Sequence, residues 1–213
     1  MLKKIAAATS LPVTVDRAKE RLRIETDEFD ADIEALIGAA TAALEAQANI
    51  VLQQSSWEFI LNGWPFLGAP IDRLDWSRSG CAELFVPASP VRDITALKYL
   101  SPEGIEQTVD ASNWSWERTG DGALLWVTEG YSLPALWRGY GVVRVAFDAG
   151  YDDPAGGSGT GDDPELVLPA QAEMAVLFLV GHWYRTREAV STDQSYTVPQ
   201  TFEYLAAQLR VYR

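Results

Sequence analysis

Apolar positions along the chain follow three successive patterns. Between Asp30 and Leu52, Ile33, Leu36, Ile37, Ala40, Leu44, Ala48 and Val51 recur at intervals of three and four, which predicts an amphipathic helix. Acidic residues crowd its first turns, the end where the helix dipole favours them. A short basic helix is expected ahead of it, with Thr14 as N-cap and Val15, Ala18 and Leu22 on one face; Glu25–Phe29 separates the two. After Gln54 the period drops from 3.6 to 2. Trp57–Leu61, Glu83–Val86, Val91–Leu100, Ile105–Val109, Trp114–Trp116, Ala123–Val127 and Val142–Ala149 read as short strands. Asn62-Gly63, Ser101–Gly104 and Thr119–Gly122 carry turn chemistry, and Trp64–Gly80 reads as an irregular loop. Strands at this spacing imply a small antiparallel sandwich or barrel.

The third pattern is helical again. Asp152–Asp163, rich in Gly and Asp, is a segment that buries nothing and reads as a flexible tether. Beyond it, Leu168–Ala189 has Pro169 in its first turn and an unbroken apolar run from Met174 to Val180. Such a helix is apolar nearly all round and must be covered on several sides. The run is far short of the roughly 20 residues of a membrane span, so none is expected. Val190–Tyr196 is polar loop. Pro199 opens a last helix with Phe202, Leu205 and Leu209 along one side. The fold class is therefore α+β: a bundle of N- and C-terminal helices (1–53 and 163–213), an inserted antiparallel β-domain (54–151) and a linker (152–162).

Composition narrows the function. With 47% apolar residues among 213, the chain has ample material for a core. The net charge of −13 is uneven: residues 1–25 hold six basic and three acidic side chains, whereas 26–180 hold seven basic and 24 acidic. An acidic body repels a nucleic-acid backbone, so stable DNA binding is not expected. One cysteine, Cys81, leaves no internal disulfide and has no basic sequence neighbour to activate it. No signal peptide is expected at the N-terminus. His182 is the only histidine, which excludes a multi-histidine metal site; beside Trp183 and Tyr184 it reads as a packing residue. Gly156–Gly161 lacks the Lys-Ser/Thr of a phosphate loop, and the Asp pairs at 152–153 and 162–163 match no calcium loop. No catalytic residue, metal ligand or cofactor is expected. Trp57, Trp64, Trp76, Trp114, Trp116, Trp126 and Trp137 all fall in the insert. They suit a core or a protein interface; a tail-associated carbohydrate-binding module, with exposed coplanar aromatics on one face, is the alternative.

The order of short motifs resembles one family. Pro12, Ala18-Lys19 and Leu22-Arg23-Ile24 precede an acidic cap and the helix Asp32-Ile33-Glu34, Ala39-Ala40, Glu45. Gln54-Ser-Ser-Trp57, Val86-Pro87, Pro90-Val91, Leu97-Lys98-Tyr99 and Val145–Tyr151 follow. Leu168-Pro169, Ala175–Leu179, His182-Trp183-Tyr184, Arg187-Glu188, Val198-Pro199 and Tyr212-Arg213 close the series. Over nearly the whole chain this is similar to phage head–tail connector (adaptor) proteins, in the branch with a β insert found in long-tailed phages and gene transfer agents. The long Gly/Asp linker departs from the tighter turn of many relatives.

The resemblance implies a structural adaptor and not an enzyme. Such proteins form a ring, typically of twelve copies, in the virion neck between the portal protein and a stopper, head-completion or tail-terminator protein. They are assembled in the bacterial cytoplasm and extend the channel through which DNA passes during ejection. In relatives the C-terminal segment reaches into the portal, which implies portal binding by Phe202, Leu205, Leu209, Arg210, Tyr212 and Arg213. Phe178, His182, Trp183, Tyr184 and Arg187 are the expected subunit-interface residues, because an all-round apolar helix invites a neighbouring copy. Removing 199–213 is expected to abolish portal attachment and leave the fold intact.

Overall fold

The computed structural model describes residues 1–6, 8, 10–64, 83–152, 163–186 and 200–211. The chain divides into two compact units, one of Met1–Ala7 and Ser55–Ala149, the other of Ala8–Gln54 and Gly150–Tyr212.

The first unit is built from two antiparallel sheets. Strands β1 (Leu2–Lys4), β2 (Ser55–Leu61), β4 (Val91–Leu100), β5 (Glu106–Val109) and β8 (Val143–Ala149) form a five-stranded sheet in the order β1-β2-β8-β4-β5; β3 (Glu83–Val86), β6 (Trp114–Thr119) and β7 (Gly122–Val127) form a three-stranded one in the order β3-β7-β6. Alternation sets the register. On β8, Val143, Val145, Phe147 and Ala149 are buried while the residues between them are half exposed. Opposite them stand Leu61, Phe59, Trp57 and Ser55 of β2, so one face of the sheet is apolar and a one-residue slip would turn it to solvent. The smaller sheet buries Leu84, Val86, Ala123, Leu125 and Trp114. Arg118 on β6 links the two sheets by donating Nε–H to the Val91 carbonyl at 2.6 Å. Among the described residues the strands form two sheets and not one closed barrel.

One strand was not legible in the sequence. Residues 1–6 carry no strand-like alternation, and residues 1–53 read as part of the helical portion. Yet Leu2–Lys4 pairs with Trp57–Phe59, so the N-terminal segment groups with the sheets. The Met1 ammonium and backbone also bond Ile60. Pairing with a distant edge leaves no local pattern in the sequence.

Among the described residues the second unit holds four α-helices: α1 (Val15–Leu22), α2 (Asp30–Ala48), α3 (Ala170–Arg185) and α4 (Gln200–Leu209). Thr14 caps α1, its side chain accepting from the Arg17 N–H at 3.2 Å. Helix α2 stops at Asn49, which takes the left-handed conformation with φ 56°. Val51 and Leu52 therefore lie beyond the helix, although both are buried. The Glu45 carboxylate accepts the Leu52 N–H at 2.8 Å and holds this exit. Helix α3 begins after Pro169, one residue later than a first-turn proline would place it.

Helix α3 also bears on two expectations. Ala172, Ala175, Val176, Leu177, Leu179 and Val180 are buried in one cluster with Val13 and Ala18, with Ile33, Ile37, Ala40, Leu44 and Ala48 of α2, and with Phe202 and Ala206 of α4. The chain's own α1, α2 and α4 cover one side of the rod, while Met174, Phe178, His182, Trp183 and Tyr184 stay half-buried. The short-run argument against a membrane span fails on its own terms, because Pro164–Arg185 has the length and hydropathy to cross one. Burial against α1, α2 and α4 accounts for that apolar length instead.

Candidate functional site

Of the residues expected at subunit and portal contacts, Phe178, His182, Trp183 and Tyr184 lie on α3, and Phe202, Leu205 and Leu209 lie on α4. On α3, Phe178, His182, Trp183 and Tyr184 are each half-buried. The Arg21 guanidinium of α1 sits 5.1 Å from the Phe178 ring centroid, so that ring is roofed by a cation. Tyr184 meets Phe29 edge-on, with centroids 6.4 Å apart and planes at 80°. Trp183 packs against the helical core. The His182 carbonyl accepts both the Thr186 N–H at 3.0 Å and its hydroxyl at 2.6 Å, closing the helix C-terminus. Arg187 lies outside the described residues.

On α4 the structure separates residues that the sequence had grouped. Phe202 is 2% exposed and belongs to the helical core. Leu205 and Leu209 are half-buried against that core, and Arg210 is exposed. The outward side carries Tyr204, 65% exposed, with Ala207 and Gln208 at helical spacing from it. Val211 is tied to the end of α2: its N–H donates to the Ala48 carbonyl at 2.9 Å, and its carbonyl accepts from the Asn49 side chain at 3.4 Å. Tyr212 and Arg213 lie outside the described residues, as do Cys81, Trp76 and the glycines of the linker. Phe202 and Ala206 fill the core, so removing 199–213 would strip buried side chains from it. The expectation of an intact fold after that truncation is corrected.

Charges organise the α1 side of the same unit. Lys19 is buried, with its ammonium 2.5 Å from Asp27 and 2.9 Å from Asp30. Hydrogen bonds to Asp27 and then Asp30 hold the Lys19 pKa above its ordinary value, and the bond from Lys19 holds Asp27 below the usual carboxylate range. Arg17 joins α1 to α3 through Glu173 at 2.8 Å, and this bond, with one to Glu20, raises its pKa further. Sequence reasoning missed Lys19. Its signal was a lysine on the same face as Val15, Ala18 and Leu22, followed by Asp27 and Asp30.

Among the described residues no three His, Cys, Asp or Glu side chains gather as a metal site. Asp163 Oδ1 accepts from the Glu165 N–H at 3.0 Å, capping the 3-10 turn Pro164–Leu166; Asp153 and Asp162 lie outside the described residues. Among the described tryptophans, Trp64 and Trp114 are buried, Trp57, Trp116, Trp126 and Trp183 half-buried, and Trp137 is 44% exposed. They do not form the exposed row that a carbohydrate platform would show.

With the elements in place, the architecture can be set beside solved structures. It matches a chain of the neck of an empty gene transfer agent particle, computed with C6 symmetry, at TM-score 0.73 and 21% identity, covering 100% of this chain and 96% of that one. The fold is that of a gene transfer agent neck chain. A chain of a native gene transfer agent virion aligns at TM-score 0.69 and 22% identity, and one from the neck of the native particle, computed with C12 symmetry, at 0.67 and 23%; coverage is the same in both cases. No family model matches the sequence, and no curated protein does. At such identities the likeness establishes the fold alone. Because it spans both units and both chains almost end to end, the helical and β units occur together in one known architecture.

Proposed function

We propose that this chain is a non-enzymatic structural subunit of a virion neck, an adaptor ring between portal and stopper or tail through which DNA passes. The observation that carries this reading is the end-to-end fold match to chains of symmetric neck assemblies. Three features of the molecule agree with it. The acidic balance of the body disfavours adhesion to passing DNA. Helix α4 presents Tyr204 outward, and Arg210 just beyond its end is exposed, residue types that anchor protein interfaces. On α3, Trp183 and Tyr184 are only half-buried within the chain. In this reading the portal-facing set is Leu205, Leu209, Arg210, Tyr212 and Arg213 together with Tyr204, while Phe202 supports them from the core. The subunit-facing set is Phe178, His182, Trp183, Tyr184 and Arg187.

Imaging particles assembled with and without this chain tests the reading. Loss of the chain should leave DNA-packed heads without tails, and restoring it should add a ring of density below the portal. Complete tailed particles in its absence would overturn the adaptor function.

A further inference from the structure

The loop between β7 and β8 carries a surface that the adaptor reading does not use. Trp137 is 44% exposed, Tyr140 is 88% exposed, Arg138 between them is exposed, and Ile105 on the neighbouring turn is 58% exposed. These positions belong to one place. The Trp137 N–H donates to the Leu100 carbonyl at 3.0 Å, and the next residue of that strand end, Ser101, donates its N–H to the Ile105 carbonyl at 2.9 Å.

The loop is also held in shape. Trp64 is buried, packs against Tyr99 with ring centroids 5.7 Å apart and planes tilted by 49°, and donates its indole N–H to the Pro134 carbonyl at 2.8 Å. Gly141, with φ +66°, donates its N–H to the Asn62 side chain at 3.0 Å. Between these anchors the Trp137 ring folds over Gly139 so closely that a Cβ there would collide with Cζ3 and Cε3 of the indole. One face of the ring is thus seated on glycine backbone while part of the side chain stays in water. An exposed Trp-Arg-Gly-Tyr knob fixed at both ends has the composition of an interface anchor, and little ordering entropy remains to be lost when it is covered.

We propose that this knob, Trp137, Arg138 and Tyr140, docks on the acidic surface of a second copy of this chain. The occupant follows from charge. Residues 1–7 and 55–149 hold nine basic and 12 acidic side chains, whereas 8–54 and 150–212 hold seven basic and 18 acidic, so the complement of a knob carrying Arg138 is the acidic helical unit of a neighbour. Knob and acidic helical unit are different patches, so the contact is heterologous, the type that generates closed rings or open filaments. The inference rests on the ring reading and adds the contact that joins adjacent copies through the β unit.

Sedimentation velocity on the full-length protein over a wide concentration range tests it, with Tyr140→Ser, Arg138→Glu and Gly139→Ala beside wild type. The first two change exposed side chains, and the third displaces the Trp137 ring. Unchanged melting curves confirm the fold. Wild type should self-associate, more weakly in high salt, and each variant should associate about tenfold more weakly or worse. Equal association in all three variants, or a wild type monomeric throughout, overturns the proposal. So does quenching of tryptophan fluorescence by oligosaccharides that Gly139→Ala abolishes, since the knob would then be a sugar platform. Particle imaging judges the neck reading separately: tailless heads together with inert knob variants would sink this contact and leave the adaptor standing.

Discussion

Lys19 shows how one side chain fixes a local connection. It is buried, and its charge is met by Asp27 and Asp30 across the turn from α1 to α2. Asp27 itself is exposed, so screening limits the pair's worth. Asp27→Asn should lower the unfolding midpoint slightly at neutral pH. The folded carboxylate titrates below its ordinary value, so this contribution is complete above about pH 4 and disappears as pH falls through the depressed pKa. Melting curves of the variant and wild type should therefore converge in acid. Phe202 acts by volume instead: at 2% exposure, Phe202→Ala should cost about 3–5 kcal/mol in chemical denaturation. Gly150 is constrained by its backbone. Its φ is +114°, and an added Cβ would meet the Gln53 backbone, so Gly150→Ala should destabilise the helical unit by more than about 1 kcal/mol in the same measurement.

At the scale of elements, α4 has two sides with different duties. Its inward side, Phe202 and Ala206, belongs to the helical core, and Val211 caps the end of α2. Its outward side carries Tyr204, Ala207 and Gln208. Deleting 200–211 should thus broaden or abolish cooperative melting, which makes truncation a poor probe of attachment. Tyr204→Ser, at a side chain 65% exposed, should keep the melting midpoint within a degree or two and weaken the proposed binding to purified portal rings; intact binding would remove α4 from that proposed contact. The Thr14 cap is a smaller lever: Thr14→Ala should cost about 1 kcal/mol. The period of α2 was readable in the sequence, but its end was not. Val51 continues the helical spacing by coincidence, and the left-handed Asn49 ends the helix regardless.

For the whole molecule, the mixture of helices and strands and most of the elements were legible because each buries one face, and a buried face writes its period into the sequence. That information is local. It placed α1, α2, α3, α4 and seven of the strands, and it marked α3 as a helix needing cover. Tertiary structure decided what provided the cover. Nothing in the run from Met174 to Val180 says whether a neighbour or the chain's own α1, α2 and α4 will lie against it, because every apolar surface satisfies it equally. The same holds for β1, whose pairing with β2 joins residues more than fifty positions apart, and for Phe202, whose inward turn depends on where α4 packs. The exposure of Trp137, Tyr140 and Tyr204 was also beyond the sequence, since aromatic residues read alike whether a core takes them in or leaves them out. Periodicity determined which elements form; long-range packing determined which apolar side chains remained exposed.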